Sequence, residues 1–164
     1  MKKSQGVGMV ARKDYRKNKL KSIGKKYRNN WTNMRVALIG HETYENRGEI
    51  KEVIFNLKKR FGNDLIIVTR GKKDGIEKWV RKYSLEMDIK YIEYNSAHTS
   101  MTLYSGMEED YYEKPYHPTQ PLHQYDCIVH NSDKIVYFGE IQRNEFNHFN
   151  RLLNRWKKKA SFVQ

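Results

Sequence analysis

Arg35-Val36-Ala37-Leu38-Ile39-Gly40-His41-Glu42-Thr43-Tyr44-Glu45-Asn46-Arg47-Gly48 opens on a short apolar run, stops at a glycine, and crosses a polar turn into a helical pattern. Read outward, the same cadence repeats. Ile50, Val53, Ile54, Leu57 and Phe61 fall at helical spacing and predict an amphipathic helix over Gly48–Phe61, with Gly62 to stop it. Leu65-Ile66-Ile67-Val68-Thr69 is a continuous apolar run, the mark of a strand buried on both faces of a parallel sheet. Arg70-Gly71-Lys72-Lys73-Asp74-Gly75 is the next turn. Ile76, Trp79, Val80, Tyr83 and Met87 repeat the helical spacing, and Ile89–Tyr94 reads as a third strand. Strands and helices that alternate at such short spacing call for parallel pairing through crossovers.

Residues 95–120 break the rhythm. Asn95-Ser96-Ala97-His98-Thr99-Ser100 is polar, Glu108, Glu109, Asp110, Tyr111, Tyr112 and Glu113 are acidic and aromatic, and Pro115, Pro118 and Pro121 close the stretch. An irregular segment of this length is expected to be a functional lid or a disordered loop, and its acids are candidates to dock a basic segment. Alternation then resumes with a helix over Leu122–Asn131, a strand at Lys134–Phe138, a turn over Gly139–Arg143, a helix carrying Phe149, Leu152, Leu153 and Trp156, and an edge strand near Ser161–Val163. The expected fold is therefore α/β: a three-layer Rossmann-like parallel sheet of order 3-2-1-4-5 with helices on both faces, over residues 34–164, preceded by a basic arm at 1–33.

Length and composition set the bounds. A chain of 164 residues, 38% apolar and 31% charged, fits one α/β domain with an appendage. The lone Cys127 rules out an internal disulfide pair and suits a reducing compartment. No apolar run is long enough to span a membrane, and the first residues lack the apolar stretch of a secretory signal. A cytoplasmic location, or one inside a nucleic-acid-containing particle, is expected.

The formal charge is +13, and it is unevenly spread. Lys2, Lys3, Arg12, Lys13, Arg16, Lys17, Lys19, Lys21, Lys25, Lys26 and Arg28 face Asp14 alone in the first 30 residues, whereas the other 134 hold 21 basic and 18 acidic groups. Ten of the thirteen net charges thus belong to the arm. With Gly6, Gly8 and Gly24 and few apolar residues, the arm is expected to stay disordered unless bound. Its cations suit a polyanion, and Tyr15, Tyr27 and Trp31 among them suit stacking on bases. A solubilising tail or a protein-docking arm is the plainer alternative.

These residues carry a resemblance. Val36–Asn46 resembles the opening of the SLOG superfamily, a strand followed by a glycine-serine-arginine turn and an acid; the superfamily includes cytokinin-activating phosphoribohydrolases and the DNA-processing protein A of natural transformation. Gly40-His41-Glu42 stands where glycine, serine and arginine are usual. Thr69–Glu77 is similar to the second signature, a glycine-rich turn into a helix with an early acid, with Gly71, Gly75 and Glu77 at its glycines and acid. Pro121-Leu122-His123-Gln124 resembles the proline-isoleucine-arginine-asparagine that opens a later helix, and Asn131–Val136 the strand lead-in. The likeness covers residues 34–163 and is closest to small members. It implies a site for a nucleotide or nucleotide-derived ligand at the C-terminal edge of the sheet. The departures bear on chemistry. Where phosphoribohydrolases carry a proline-glycine-glycine-x-glycine-threonine turn, this chain has Phe138-Gly139-Glu140-Ile141-Gln142-Arg143, and the usual arginine is replaced at His41 and at His123.

The candidate ligand-binding residues are Gly40, His41, Glu42, Arg70, Gly71, Lys73, Gly75, Glu77 and Gly139, because each follows a strand on one edge or begins the helix beyond it. Gly40 and Gly71 are equally explained as tight-turn residues. Glu42 and Glu140 follow the first and fourth strands, neighbours in the expected order, and are the candidate catalytic carboxylates for N-glycosidic cleavage; as residues of surface turns they need no such role. Arg70, Lys72 and Lys73 suit a phosphate or simply a solvated turn. His41, His98, His117, His123, His130 and His148 share no zinc spacing, and neither a nucleophile elbow nor a GxxxxGK loop is present, so no metal and no cofactor are expected. The expected function is binding of a nucleotide-derived ligand or of nucleic acid, with the arm on the polyanion. The alternatives are an assembly protein of a nucleic-acid-containing particle such as a phage virion, with homo-oligomerisation, and an N-glycosidic hydrolase or deoxyribosyl transferase.

Overall fold

The computed structural model describes residues 33–164. The expectations placed on Lys2 to Arg28 lie outside the described residues. The chain forms β1 (Met34–Gly40), α1 (Arg47–Phe61), β2 (Leu65–Thr69), α2 (Ile76–Glu86), β3 (Lys90–Glu93), α3 (Gln120–Asn131), β4 (Lys134–Phe138), α4 (Arg143–Trp156) and β5 (Ala160–Val163). The five strands make one parallel sheet of order β3-β2-β1-β4-β5, as the sequence predicts. β1 lies at its centre, with Val36 opposite Ile67 on one side and opposite Lys134 on the other.

Side chains alternate across a strand, so β1 feeds two cores. Val36 and Leu38 join Ile50, Ile54, Leu65, Ile67, Ile76, Val80 and Phe138 beneath α1 and α2. Ala37 and Ile39, both fully buried, point to the opposite face, where α3 and α4 lie and Tyr137 and Tyr125 each meet Phe149, at 6.4 and 5.5 Å between ring centres. A strand covered on both faces has no place for the alternation of a half-exposed strand, which is why Val36–Ile39 and Leu65–Val68 read as unbroken apolar runs.

The helix ends follow local chemistry. Asn46 caps α1, its side-chain oxygen accepting from the Glu49 backbone N–H at 3.2 Å, while Lys58, Lys59 and Arg60 crowd the last turn and Gly62 closes it at a φ of 58°. Pro121 occupies the first turn of α3, where its missing N–H costs nothing. α4 begins at Arg143, earlier than its apolar spacing marks, because its first turn is polar.

Residues 94–119 hold no strand and one short 3-10 turn, Glu109–Tyr111, yet they are pinned at several points. Ser105 bridges Glu93, the Glu93 N–H donates to Tyr104 at 2.9 Å, and Gly106 N–H donates back to Glu93 at 2.8 Å. Ala97, Met107 and Tyr112 are buried. The buried Glu93 carboxylate accepts from Tyr91 at 3.0 Å and Thr102 at 2.6 Å, so hydrogen bonds satisfy it in place of a cation.

Acids whose protons folding holds more tightly are expected to set the alkaline limit of the fold. Loss of water, then the hydrogen bond to the Glu49 carboxylate, pushes the Tyr44 hydroxyl up to about 12, and burial pushes the Cys127 thiol up to about 12. Burial also raises Tyr91, and the nearby Glu93 adds to it. Groups raised on folding stabilise fully below their unfolded values and lose that contribution as pH climbs through the folded ones. The melting temperature should therefore fall steeply between about pH 9 and 12, the interval from unfolded thiol and phenol values to the raised ones. A melting temperature that holds level to pH 12 in a thermal scan series would count against it.

Candidate functional site

The C-terminal edge of the sheet, where the chain turns away from β1 in one direction and from β4 in the other, is where an open α/β sheet accommodates ligands. The turn after β1 is stitched to β4: the His41 N–H donates to the Phe138 carbonyl at 2.8 Å. Gly40 has no room for a side chain, since a Cβ there would lie 2.5 Å from the Phe138 carbonyl oxygen and 3.0 Å from Ile76 Cγ1. Gly75, at a φ of 72°, abuts Glu42, and Gly139, at a φ of 89°, abuts His41 and Tyr44. Gly40, His41, Glu42, Gly75 and Gly139 are thereby gathered at one place. Gly40→Ala should cost roughly 1–3 kcal/mol, as overpacking does, and would show as a lowered denaturant midpoint; an unchanged midpoint would mean that the edge has slack.

Arg70 dominates the spot. It leaves the end of β2 only 3% exposed and reaches across the edge. Its Nε donates to Glu77 at 2.6 Å, Nη1 to the Tyr125 hydroxyl at 3.0 Å, and Nη2 to the Gly40 carbonyl at 2.5 Å, while Glu145 stands 3.5 Å from Nη1. Tyr125 in turn donates to Glu145, and Gln124 holds the Arg70 carbonyl at 3.2 Å and that of Tyr94 at 3.1 Å. Strands β1 and β2 and helices α2, α3 and α4 all converge on this guanidinium. Glu77, 1% exposed at the start of α2, is its closest ion partner. The sequence offered Arg70 and Glu77 as ligand-facing groups; the structure turns both inward, onto each other.

What the edge presents outward is different. Lys72 and Lys73 are exposed on the turn, as are Glu42 and Glu140. The Lys72 ammonium is lowered from the ordinary lysine range, first by loss of water around it and then by the Arg70 charge, with Glu77, Glu145 and Glu42 pulling the other way. Gly71 faces elsewhere: at a φ of 68° it lies against Asn95 beside β3, where a Cβ would come within 2.5 Å of the Asn95 amide. Among the described residues no cluster of three or more His, Cys, Asp and Glu could hold a metal, and no helix is long and apolar enough to cross a membrane.

Tyr125, Glu145 and Gln124 are absent from the sequence candidates. Glu145 falls on the same helical stripe as Phe149 and Leu152, and Gln124 and Tyr125 on that of Ile128 and Val129. A polar side chain at a core position of an amphipathic helix is the signal that would have found them.

No family model matches the chain, and no curated protein matches it. Among solved structures it is similar to DNA processing protein A from Helicobacter pylori, described with a single-stranded DNA binding mode, at 16% identity and a TM-score of 0.59, covering 80% of this chain and 65% of that one. It is also similar to DNA processing protein A from Streptococcus pneumoniae at 15% identity and a TM-score of 0.51, covering 80% of this chain and 58% of that one. The chain spans under two thirds of either protein, and at these identities the likeness speaks for the fold alone, a Rossmann-like parallel sheet.

Proposed function

We propose that the protein binds single-stranded nucleic acid, gripping phosphates with the basic residues of the arm and presenting the C-terminal edge of the sheet to a nucleotide or strand end. The observation that carries this reading is the fold, shared with a DNA processing protein A described by its single-stranded DNA binding mode. The charge supports it, since eleven basic residues in the first 30 face one acid. At the edge itself the exposed Lys72 and Lys73 are available to meet an anion, whereas Arg70 is already engaged by Glu77, Tyr125 and Gly40.

Binding without hydrolysis is the form we favour. A general acid at neutral pH needs a carboxyl removed from water, and Glu42 and Glu140 are both exposed. Glycosidic hydrolysis also needs preorganised donors for the departing sugar, and Gln142-Arg143-Asn144 would supply only side chains with many rotamers.

The full chain is to be titrated with a labelled oligothymidine in a salt series. About six phosphate contacts would weaken binding several-hundredfold between roughly 50 and 200 mM salt, since the single-strand slope is about 0.7 per contact. No binding at the lower salt would end the reading. In the same samples nucleoside monophosphates should stay intact. A steady release of free base that vanishes in a folded Glu140→Gln chain would establish the hydrolase instead.

A further inference from the structure

Trp79 and Tyr83 sit one helical turn apart on α2, and at helical spacing both read as core residues. The structure leaves each partly exposed, at the margin of the core beneath α1 and α2. Their rings lie 6.3 Å apart and 27° from parallel. Cations from both helices surround them. Arg47 at the start of α1 lies 4.4 Å from the centre of the Trp79 ring, Lys78 5.1 Å and Lys82 5.6 Å. Lys51, one turn along α1 from Arg47, lies 5.5 Å from the Tyr83 ring. Phe55, a further turn along the same stripe, is 57% exposed.

Three cations about one indole repel one another. Among the described residues the acids do little to relieve them. Lys82 has Glu86 at 3.9 Å, but Glu49 is turned toward Tyr44 and Asn46, and no acid among the described residues forms an ion pair with Arg47, Lys51 or Lys78. α1 and α2 together hold eight basic and four acidic residues, one of the acids being the buried Glu77. Residues 143–159 hold a second basic group, six against one, but there the Trp156 ring is occupied by His130 at 4.3 Å. The rest of residues 31–164 carries seven basic and thirteen acidic groups. A polyanion is thus directed away from most of the surface and toward a face that also offers two near-parallel rings.

We infer that the outer face of α1 and α2 is a platform for single-stranded nucleic acid, on which Trp79 and Tyr83 stack bases while Arg47, Lys51, Lys78 and Lys82 meet phosphates. The inference rests on the proposed single-strand binding and gives it a surface on the folded domain, distinct from the arm. Bases suit the rings because stacking needs only a π-face, and the cations now beside those rings would flank a base stacked there. Both helices start at the C-terminal edge of the sheet, the edge proposed to receive a nucleotide or strand end.

The test uses the full chain and oligothymidine. In a Trp31→Phe/Trp156→Phe chain Trp79 is the sole tryptophan, and its fluorescence should be quenched in a saturable way, at the dissociation constant that the same chain shows for labelled oligothymidine. Trp79→Leu/Tyr83→Leu, checked for fold by circular dichroism and melting, should bind roughly tenfold or more weakly, the loss expected for stacked bases. Lys51→Gln/Lys78→Gln/Lys82→Gln should also bind more weakly and with a shallower salt slope. If the full chain binds while Trp79 is not quenched and both variants match it, the platform is wrong and single-strand binding stands. If the full chain does not bind, both fail together. Should the leucine chain not fold, the quenching experiment alone decides. A charge variant that only dissolves a dimer in sedimentation, with nucleic-acid affinity intact, would assign the face to a second copy and overturn the inference.

Discussion

An Arg70→Ala chain is expected to lose about 3–5 kcal/mol of stability, the loss found when one partner of a buried ion pair is removed. Stability of a domain this size is of order 5–15 kcal/mol, so the variant should lose at least about a fifth of it and show a clearly lowered denaturant midpoint. The loss has several parts. Glu77 would remain 1% exposed with its nearest cation gone, and the Gly40 carbonyl and Tyr125 hydroxyl would each lose a donor. The charge itself is not what stability requires, because well-packed apolar pairs often replace buried ion pairs at little cost. Arg70→Met/Glu77→Leu should therefore regain much of what Arg70→Ala loses. Chemical denaturation of the three chains makes the comparison. An Arg70→Ala midpoint within error of the parent would show that the edge is wet and that Arg70 is free to meet a ligand.

A chain beginning at Asn33 is expected to lose most of its affinity for nucleic acid and most of its salt dependence, since ten of the thirteen net charges go with the residues removed. For single strands each lost phosphate contact should lower the slope by about 0.7. Six lost contacts would leave a residual slope set by the domain and binding weaker by roughly two to four orders of magnitude near 50 mM salt. If the shortened chain matches the full one in affinity and slope, the arm is a tail or a protein-docking segment. What affinity survives belongs to the domain, and the Trp79 variants then report where it resides.

The fold was legible because its central strands are covered on both faces. Val36–Ile39 and Leu65–Val68 could be recognised as unbroken apolar runs, parallel pairing followed from their alternation with helices, and the order 3-2-1-4-5 is the usual one for such a sheet. The start of α4 was not legible, because Arg143, Asn144 and Glu145 carry no apolar spacing. Nor was the inward turn of Arg70. A sequence shows that an arginine follows a strand, but not that Glu77, Tyr125 and Gly40, drawn from three other elements, will meet it. Positions on the edge could be placed from strand order alone. Whether a charged side chain there faces ligand or core depends on partners up to 75 residues away, Glu145 being the farthest. The segment after β3 shows the same limit, since Glu93 looks like any strand-end acid until Tyr91 and Thr102 are seen to hold it.

The register of β1 carries a consequence for the growing chain. Val36 pairs with Ile67 on one side and with Lys134 on the other, so the central strand finds its first neighbour about 30 residues on and its second about 100 residues on. At roughly 5–20 residues per second of synthesis, β1 waits on the order of 5–20 seconds with one edge open. During that interval it is an apolar strand whose free N–H and C=O groups can template another chain. The three strands β3-β2-β1, with α1 and α2 over one face, are joined by short crossovers, so an early half-sheet is the expected order of folding, with the long connection to β4 the entropically costlier closure. Mutations that slow the arrival of β4, such as those in the pinned segment 94–119, should raise aggregation during expression even where the finished protein is as stable as its parent.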